Sequence, residues 1–78
     1  MNSKIIFDFS NLEGKIKQFY DTQDKFCKLI PMSRATLNQK LNNKKDFSAS
    51  NIWKMAKLLN MSVDEIGTVF FREKNLEN

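Results

Sequence analysis

Residues 22–43 read TQDKFCKLIPMSRATLNQKLNN, and the punctuation of this stretch decides the fold. The hydroxyl of Thr22 can accept from the unpaired N–H groups of a following first turn. Phe26, Leu29 and Ile30 then recur at the spacing of one helical face. Pro31 has no N–H and disfavours helical geometry at Ile30, so that helix ends about there. Ser33 supplies a second cap, and Met32 before it with Leu37 after it fits a hydrophobic staple that fixes how the chain enters the next helix. Two short helices joined by so tight a turn form a helix-turn-helix.

The same signals organise the rest of the chain. Towards the N-terminus, Phe7, Asp8 and Phe9 alternate as a half-buried strand does. Ser10 with Glu13 reads as a capping box, which opens a helix whose inward residues are Leu12, Ile16, Phe19 and Tyr20. After the helix-turn-helix, Asn42 and Asn43 tolerate the left-handed conformation that ends a helix, and Lys44, Lys45 and Asp46 form a loop. Phe47, Ser48 and Ile52 mark the next start, with Ile52, Met55, Ala56 and Leu59 on one face and Trp53 and Leu58 on its shoulders. Met61, Ser62, Glu65 and Ile66 repeat staple and box, and Gly67 weakens the helix that follows. Val69, Phe70 and Phe71 are too apolar to be left in water, whereas the polar tail Arg72 to Asn78 frays. The expected helices span about 11–20, 23–30, 34–42, 49–60 and 63–71. The fold is all-α, a compact five-helix bundle in a single domain, 1–78, with an N-terminal arm that forms a short strand at most.

Composition narrows what such a domain does. The chain has 78 residues, enough for one small core that buries roughly 60% of its unfolded surface. It is 41% apolar, with seven Phe and only two Gly and one Pro, which separates it from disordered and fibrous chains. One Cys and no His leave no internal disulfide, no Cys/His zinc site and no Cys/His or Ser/His catalytic pair, so Cys27 reads as a small buried side chain. No catalytic residue, cofactor, metal or small-molecule substrate is expected. No apolar run approaches the ~18 residues of a membrane span and MNSKIIFDF lacks an export signal, so the expected setting is intracellular. The net charge of +4 is unevenly spread. Residues 1–45 hold nine Lys and Arg against four Asp and Glu, whereas residues 46–78 hold four against five. Between Thr22 and Lys45, Lys25, Lys28, Arg34, Lys40, Lys44 and Lys45 face only Asp24.

The third helix carries the most specific chemistry. At 100° per residue Leu37 and Leu41 form an inward stripe, with Ala35, Gln39 and Asn42 near the opposite pole and Asn38 and Thr36 beside it. This outer face is polar but nearly uncharged, where solvated helices favour Lys and Glu. Gln and Asn can bond N6 and N7 of adenine, Arg pairs with O6 and N7 of guanine, and Ala35 can touch a thymine methyl. Arg34 stands in the first turn, where recognition helices reach base edges, and has the length to swing outward. Gln23 sits at the start of the second helix, whose free N–H groups suit a phosphate, and Ser33, Lys40, Lys44 and Lys45 surround the third. Against this stands the plain reading, a polar surface helix that binds nothing.

These residues resemble the small helix-turn-helix domains of lambdoid phage Cro and repressor proteins, also called the XRE family. The likeness rests on the Thr22–Gln23 opening, small Cys27, the Ser33 cap, aliphatic Leu37 and the run Asn42, Asn43, Lys44, and it covers Phe9 to about Phe71. DFSNLEGKI, TQDKFCKLIPMSRATLNQKLNNK and FFREK are similar to a Cro-type subgroup from phages of Gram-positive bacteria. The resemblance implies a sequence-specific DNA-binding transcriptional regulator, Cro-like in repressing, that acts as a homodimer on a palindromic operator in the host cytoplasm, at the nucleoid. It implies base contacts by Arg34, Ala35, Asn38 and Gln39 and phosphate contacts by Gln23, Ser33, Asn42 and Lys44. This chain departs from the family in having Pro31 at the usual turn Gly and in Lys40–Leu41, which shifts the inward residue by one.

Two other classes compete. An enzyme lacks support, since nothing supplies a nucleophile with a base, a phosphate loop or a metal cluster. A protein–protein interaction module is the stronger rival, because Val69, Phe70 and Phe71 and the apolar arm can serve as a partner surface. The same residues can instead close the core, at least in part, or form the contact of a homodimer.

Overall fold

A computed structural model describes residues 5–74. It holds five helices: α1 (Ser10–Tyr20), α2 (Gln23–Leu29), α3 (Arg34–Leu41), α4 (Ala49–Leu58) and α5 (Val63–Phe70). α1 packs against α2 and α5, α2 against α3, and α4 against α5. All five surround one core, in which Leu12, Ile16, Phe26, Leu37, Met55, Leu59 and Phe70 are almost wholly shielded from solvent. Each such side chain contributes about 1.5–3 kcal/mol of burial, so even a short helix such as α3 is held by what it buries rather than by its own propensity.

Hydroxyl caps start four of the helices. Thr22, Ser33, Ser48 and Ser62 have extended backbones and accept from Lys25, Thr36, Asn51 and Glu65 N–H respectively. Ser62 and Glu65 form the expected capping box, in which the Glu65 carboxylate accepts from the Ser62 N–H at 3.0 Å. That bond, together with Lys15 at 3.6 Å, holds the Glu65 carboxyl below its ordinary range. Ser48 and Asn51 form a second box, with Asn in place of the usual Glu or Gln.

The start of α1 departs from expectation. Ser10 is its first residue, Phe9 takes the cap position without a side-chain bond, and the Asp8 carboxylate accepts from the Ser10 N–H at 2.9 Å. Asp8 is itself held in place, because its N–H donates to the Arg72 carbonyl at 2.8 Å while Lys74 N–H donates to Ile6 at 2.7 Å. The Ser10 N–H is the main reason the Asp8 carboxyl lies below its usual value. The arm thus pairs antiparallel with the C-terminal segment through a single Phe7–Glu73 bridge. Residues 72–74 are therefore paired rather than frayed; residues 75–78 of the expected tail lie outside the described residues.

α3 and α4 end alike. Asn43 and Asn60 adopt positive φ, 64° and 55°. In each case the next residue's N–H reaches back to the third-last helical carbonyl, Lys44 to Gln39 at 2.8 Å and Met61 to Ala56 at 2.9 Å. The Asn N–H itself donates to Lys40 at 3.1 Å and to Lys57 at 3.2 Å, which completes a Schellman closure twice over. α2 has half of this closure: Met32 N–H donates to Cys27 at 3.3 Å, and Pro31, lacking an N–H, cannot add the other bond. The α1–α2 connection is tighter still, with Asp21 at φ 71°, ψ −49° and Thr22 N–H donating to Tyr20 at 2.7 Å, a γ-turn.

Two apolar residues expected on inward faces lie on the surface: Phe19 and Leu29 are 45% and 48% exposed. Phe19 yields because the last turn of α1 rolls towards Tyr20, whose hydroxyl donates to the Leu58 carbonyl at 2.7 Å and whose ring meets Phe26 at 5.2 Å. In α2 the buried face runs through Phe26, Cys27 and Ile30, so Leu29 falls on the far flank. Burial in this face raises the Cys27 thiol above its ordinary value, which keeps it protonated.

Candidate nucleic-acid interface

α3 is seated by Leu37 and Leu41, both buried, at the spacing that brings two side chains onto one stripe. Its opposite side presents Ala35, Asn38, Gln39 and Asn42, all exposed. Among the described residues the amides of Asn38, Gln39 and Asn42 take no hydrogen-bond partner, so each keeps both a donor and an acceptor for something else. The helix-wheel assignment of this pole is the arrangement found.

The first turn of α3 is different, and here Arg34 departs from expectation. Its guanidinium does not swing outward: Nε donates to Gln23 Oε1 at 3.0 Å and an Nη donates to Asp24 Oδ1 at 2.9 Å. α2 begins with an amide and a carboxylate side by side, a better match for a planar guanidinium than solvent offers. Both partners are substantially exposed, so the tie is worth at most about 1 kcal/mol and orients more than it stabilises. It also occupies the oxygen of Gln23, leaving the amide's N–H groups for an acceptor near the α2 N-terminus.

Ser33 spends both its hydroxyl roles within the first turn, accepting from Thr36 N–H at 3.0 Å and donating to Thr36 Oγ1 at 2.9 Å. A phosphate contact by Ser33 therefore requires that proton to leave Thr36. Lys40 departs further, for it is half-buried and its ammonium donates to the Asp46 carbonyl at 2.7 Å, 5.9 Å from the centre of the Phe47 ring. Its position beside the inward stripe aims it at the α3–α4 loop, where it acts as a clip. Lys44 and Lys45 are exposed, and both backbone N–H groups converge on the Gln39 carbonyl, at 2.8 and 3.3 Å.

Charge on this face is therefore thinner than the sequence count. Lys25 lies 3.6 Å from Asp21, and Arg34 is matched by Asp24. Lys28, Lys44 and Lys45 have no ion-pair partner among the described residues. The proposed partner cluster also divides: Val69 and Phe70 are 3% and 2% exposed and belong to the core, because α5 turns them towards α1 and α4. Phe71 alone remains at the surface, edge-on to Phe7 at 5.8 Å.

Two polar connections carry no local sequence signal. One is the Arg34–Gln23–Asp24 tie; opposite charge ten residues apart was visible, but not that the turn would bring the two helix starts together. The other is Asn43, whose side chain accepts from Phe7 N–H at 2.9 Å and donates to the Phe7 carbonyl at 3.0 Å. No local pattern links residues that far apart.

The fold and this face define a small all-α domain built on a helix-turn-helix with an uncharged amide surface on its third helix. A family model described as "Protein of unknown function (DUF739)" matches residues 5–73, and the chain belongs to that family. No curated protein matches it. No helix of the described residues is long and apolar enough to cross a membrane.

Proposed function

We propose that the protein is a sequence-specific double-stranded DNA-binding transcriptional regulator, a Cro-like repressor of the XRE type, working in the bacterial cytoplasm. α3 enters the major groove of a palindromic operator, and two copies bind its two halves. The observation that carries this reading is the outer face of α3: Ala35, Asn38 and Gln39 exposed together, the Asn38 and Gln39 amides without partners among the described residues, on a helix locked from behind by Leu37 and Leu41. Asn and Gln in such a position offer adenine a bidentate pair. The α2 N-terminus with Gln23, and Lys44 and Lys45 past the end of α3, are the phosphate contacts that would set its register. In this reading Arg34 acts through Gln23 and Lys40 through the loop.

Selection of bound sequences from random duplex DNA tests it. The expected product is an enriched half-site repeated in inverted orientation, with affinity falling on a log–log salt plot by a slope of about −0.9 per phosphate neutralised. No enrichment, or affinity flat with salt, overturns it. A second reading, a protein–protein interaction module, draws on Phe71, which is 52% exposed beside a cleft of about 290 Å³ lined by Phe7, Phe9, Phe47 and Ile52. That reading is what a failed selection would favour.

A further inference from the structure

We infer that Asn43 is a positioning residue, whose side-chain amide couples the paired chain ends to the C-terminal end of α3 and fixes the backbone from which Lys44 and Lys45 project. The functional part of this inference rests on the DNA-binding reading above.

The geometry is specific. Phe7 uses its backbone N–H and C=O on the Asn43 amide, at 2.9 and 3.0 Å, while the neighbouring Ile6 carbonyl accepts from Lys74 N–H and the Asp8 N–H donates to the Arg72 carbonyl. An extended segment points alternate backbone groups to opposite edges, so the Asn43 amide fills one edge of the arm as a neighbouring strand would. It does so from the left-handed position that closes α3, followed at once by the two N–H groups that Gln39 accepts. Gln39 thus carries a candidate base-reading amide on its side chain and holds the Lys44–Lys45 backbone with its carbonyl. A second path runs beside the first: Phe7 meets Phe9, Phe9 meets Phe47 and Phe47 meets Phe70, at 6.1, 5.2 and 5.5 Å, and Lys40 ties the loop to the end of α3.

Asn60 provides an internal control. It has the same left-handed φ after the same Schellman closure, and its exposed side chain makes no hydrogen bond among the described residues. Conformational need alone explains Asn60, whereas Asn43 adds two bonds to a distant backbone.

The test compares Asn43→Gly with Asn60→Gly in the full chain. Glycine adopts positive φ without strain, so both variants keep the closure and only the first loses the clamp. Asn43→Gly should speed exchange of the Phe7 amide proton by about tenfold and shift the amide resonances of Gln39, Lys44 and Lys45. Asn60→Gly should leave all four unchanged. An unchanged Phe7 exchange rate, or an unchanged Gln39 resonance, in Asn43→Gly would overturn the coupling, whether or not the protein binds DNA. On a selected duplex, Asn43→Gly should bind on the order of threefold to thirtyfold more weakly, the range expected for coupling through a packed network. Resonance shifts with undiminished affinity would overturn the positioning role, whereas absence of wild-type binding to any duplex would overturn the DNA reading and leave the coupling to the exchange data.

Discussion

α3 and α4 begin and end in the same way and differ in almost everything between. Each follows a serine cap, each buries aliphatic side chains on one stripe, and each closes with a left-handed Asn. The residue after the cap is Arg34 in α3 and Ala49 in α4; the first reaches across to α2, and the second cannot. The outer face of α4 carries Ser50, Lys54, Lys57 and Trp53, with the Lys57 ammonium 5.1 Å from the centre of the indole. Such lysine-rich faces are common on solvated helices. The outer face of α3 is amide and methyl. The difference teaches that helix ends here are set by a shared local grammar, whereas function is written in the side chains that grammar leaves over.

The strongest way to break the comparison is to remove what seats α3. Leu37 is 0% exposed, and Leu37→Ala should cost about 3–4 kcal/mol through lost burial and a residual cavity. That is most of the roughly 5 kcal/mol expected of a domain this small, so about 1–2 kcal/mol should remain and chemical denaturation should find the midpoint at a small fraction of the wild-type denaturant concentration. A loss under 1 kcal/mol would mean that α3 is held by its caps and not by its stripe.

A sharper separation comes from the outer faces. Gln39→Ala should leave the denaturation midpoint unchanged but cost about 1–3 kcal/mol at the selected operator and relax preference at one base pair per half-site. Ser50→Ala at the corresponding pole of α4 should change neither quantity. Equal effects of the two substitutions, read by titration on operator and mismatched duplexes, would remove the distinction between the faces.

What the sequence makes legible follows the same division. Helix limits are readable because a cap acts within one turn: Thr22, Ser33, Ser48 and Ser62 each accept from the N–H three residues on. The inward pair Leu37 and Leu41 is readable because two buried side chains fix a stripe. The flanks are less so, since an apolar stripe is wider than the buried one and its roll is decided by distant contacts such as Tyr20 to the Leu58 carbonyl. Least legible are side chains that choose a partner across the fold. Arg34 and Lys40 looked like surface cations, and only the closeness of α2 and of the α3–α4 loop gave them carboxylate, amide and carbonyl acceptors. Likewise nothing local indicated that the two chain ends would pair, which removes 72–74 from the expected tail and puts Phe9 at the cap of α1 in place of Ser10, with the Asp8 carboxylate accepting from the Ser10 N–H.

The smallest expected effect is the most discriminating, because it asks which face Arg34 belongs to. Arg34→Ala makes the start of α3 resemble that of α4. If Arg34 stays on Gln23 and Asp24 in the complex, the substitution frees the Gln23 amide to rotate and exposes the unpaired Asp24 carboxylate beside the phosphates. Both effects weaken every duplex alike, by about 1 kcal/mol, and steepen the penalty at low salt, where charge repulsion is least screened. Asp24→Asn combined with Arg34→Ala should then recover part of the loss, since it removes the carboxylate that Arg34 had neutralised. If instead Arg34 leaves α2 on binding and pairs with a guanine, Arg34→Ala should relax one base position, as Gln39→Ala does, and the double substitution should recover nothing. The two outcomes differ in kind rather than size, so a modest change in affinity suffices to assign Arg34 to the reading surface or to its support.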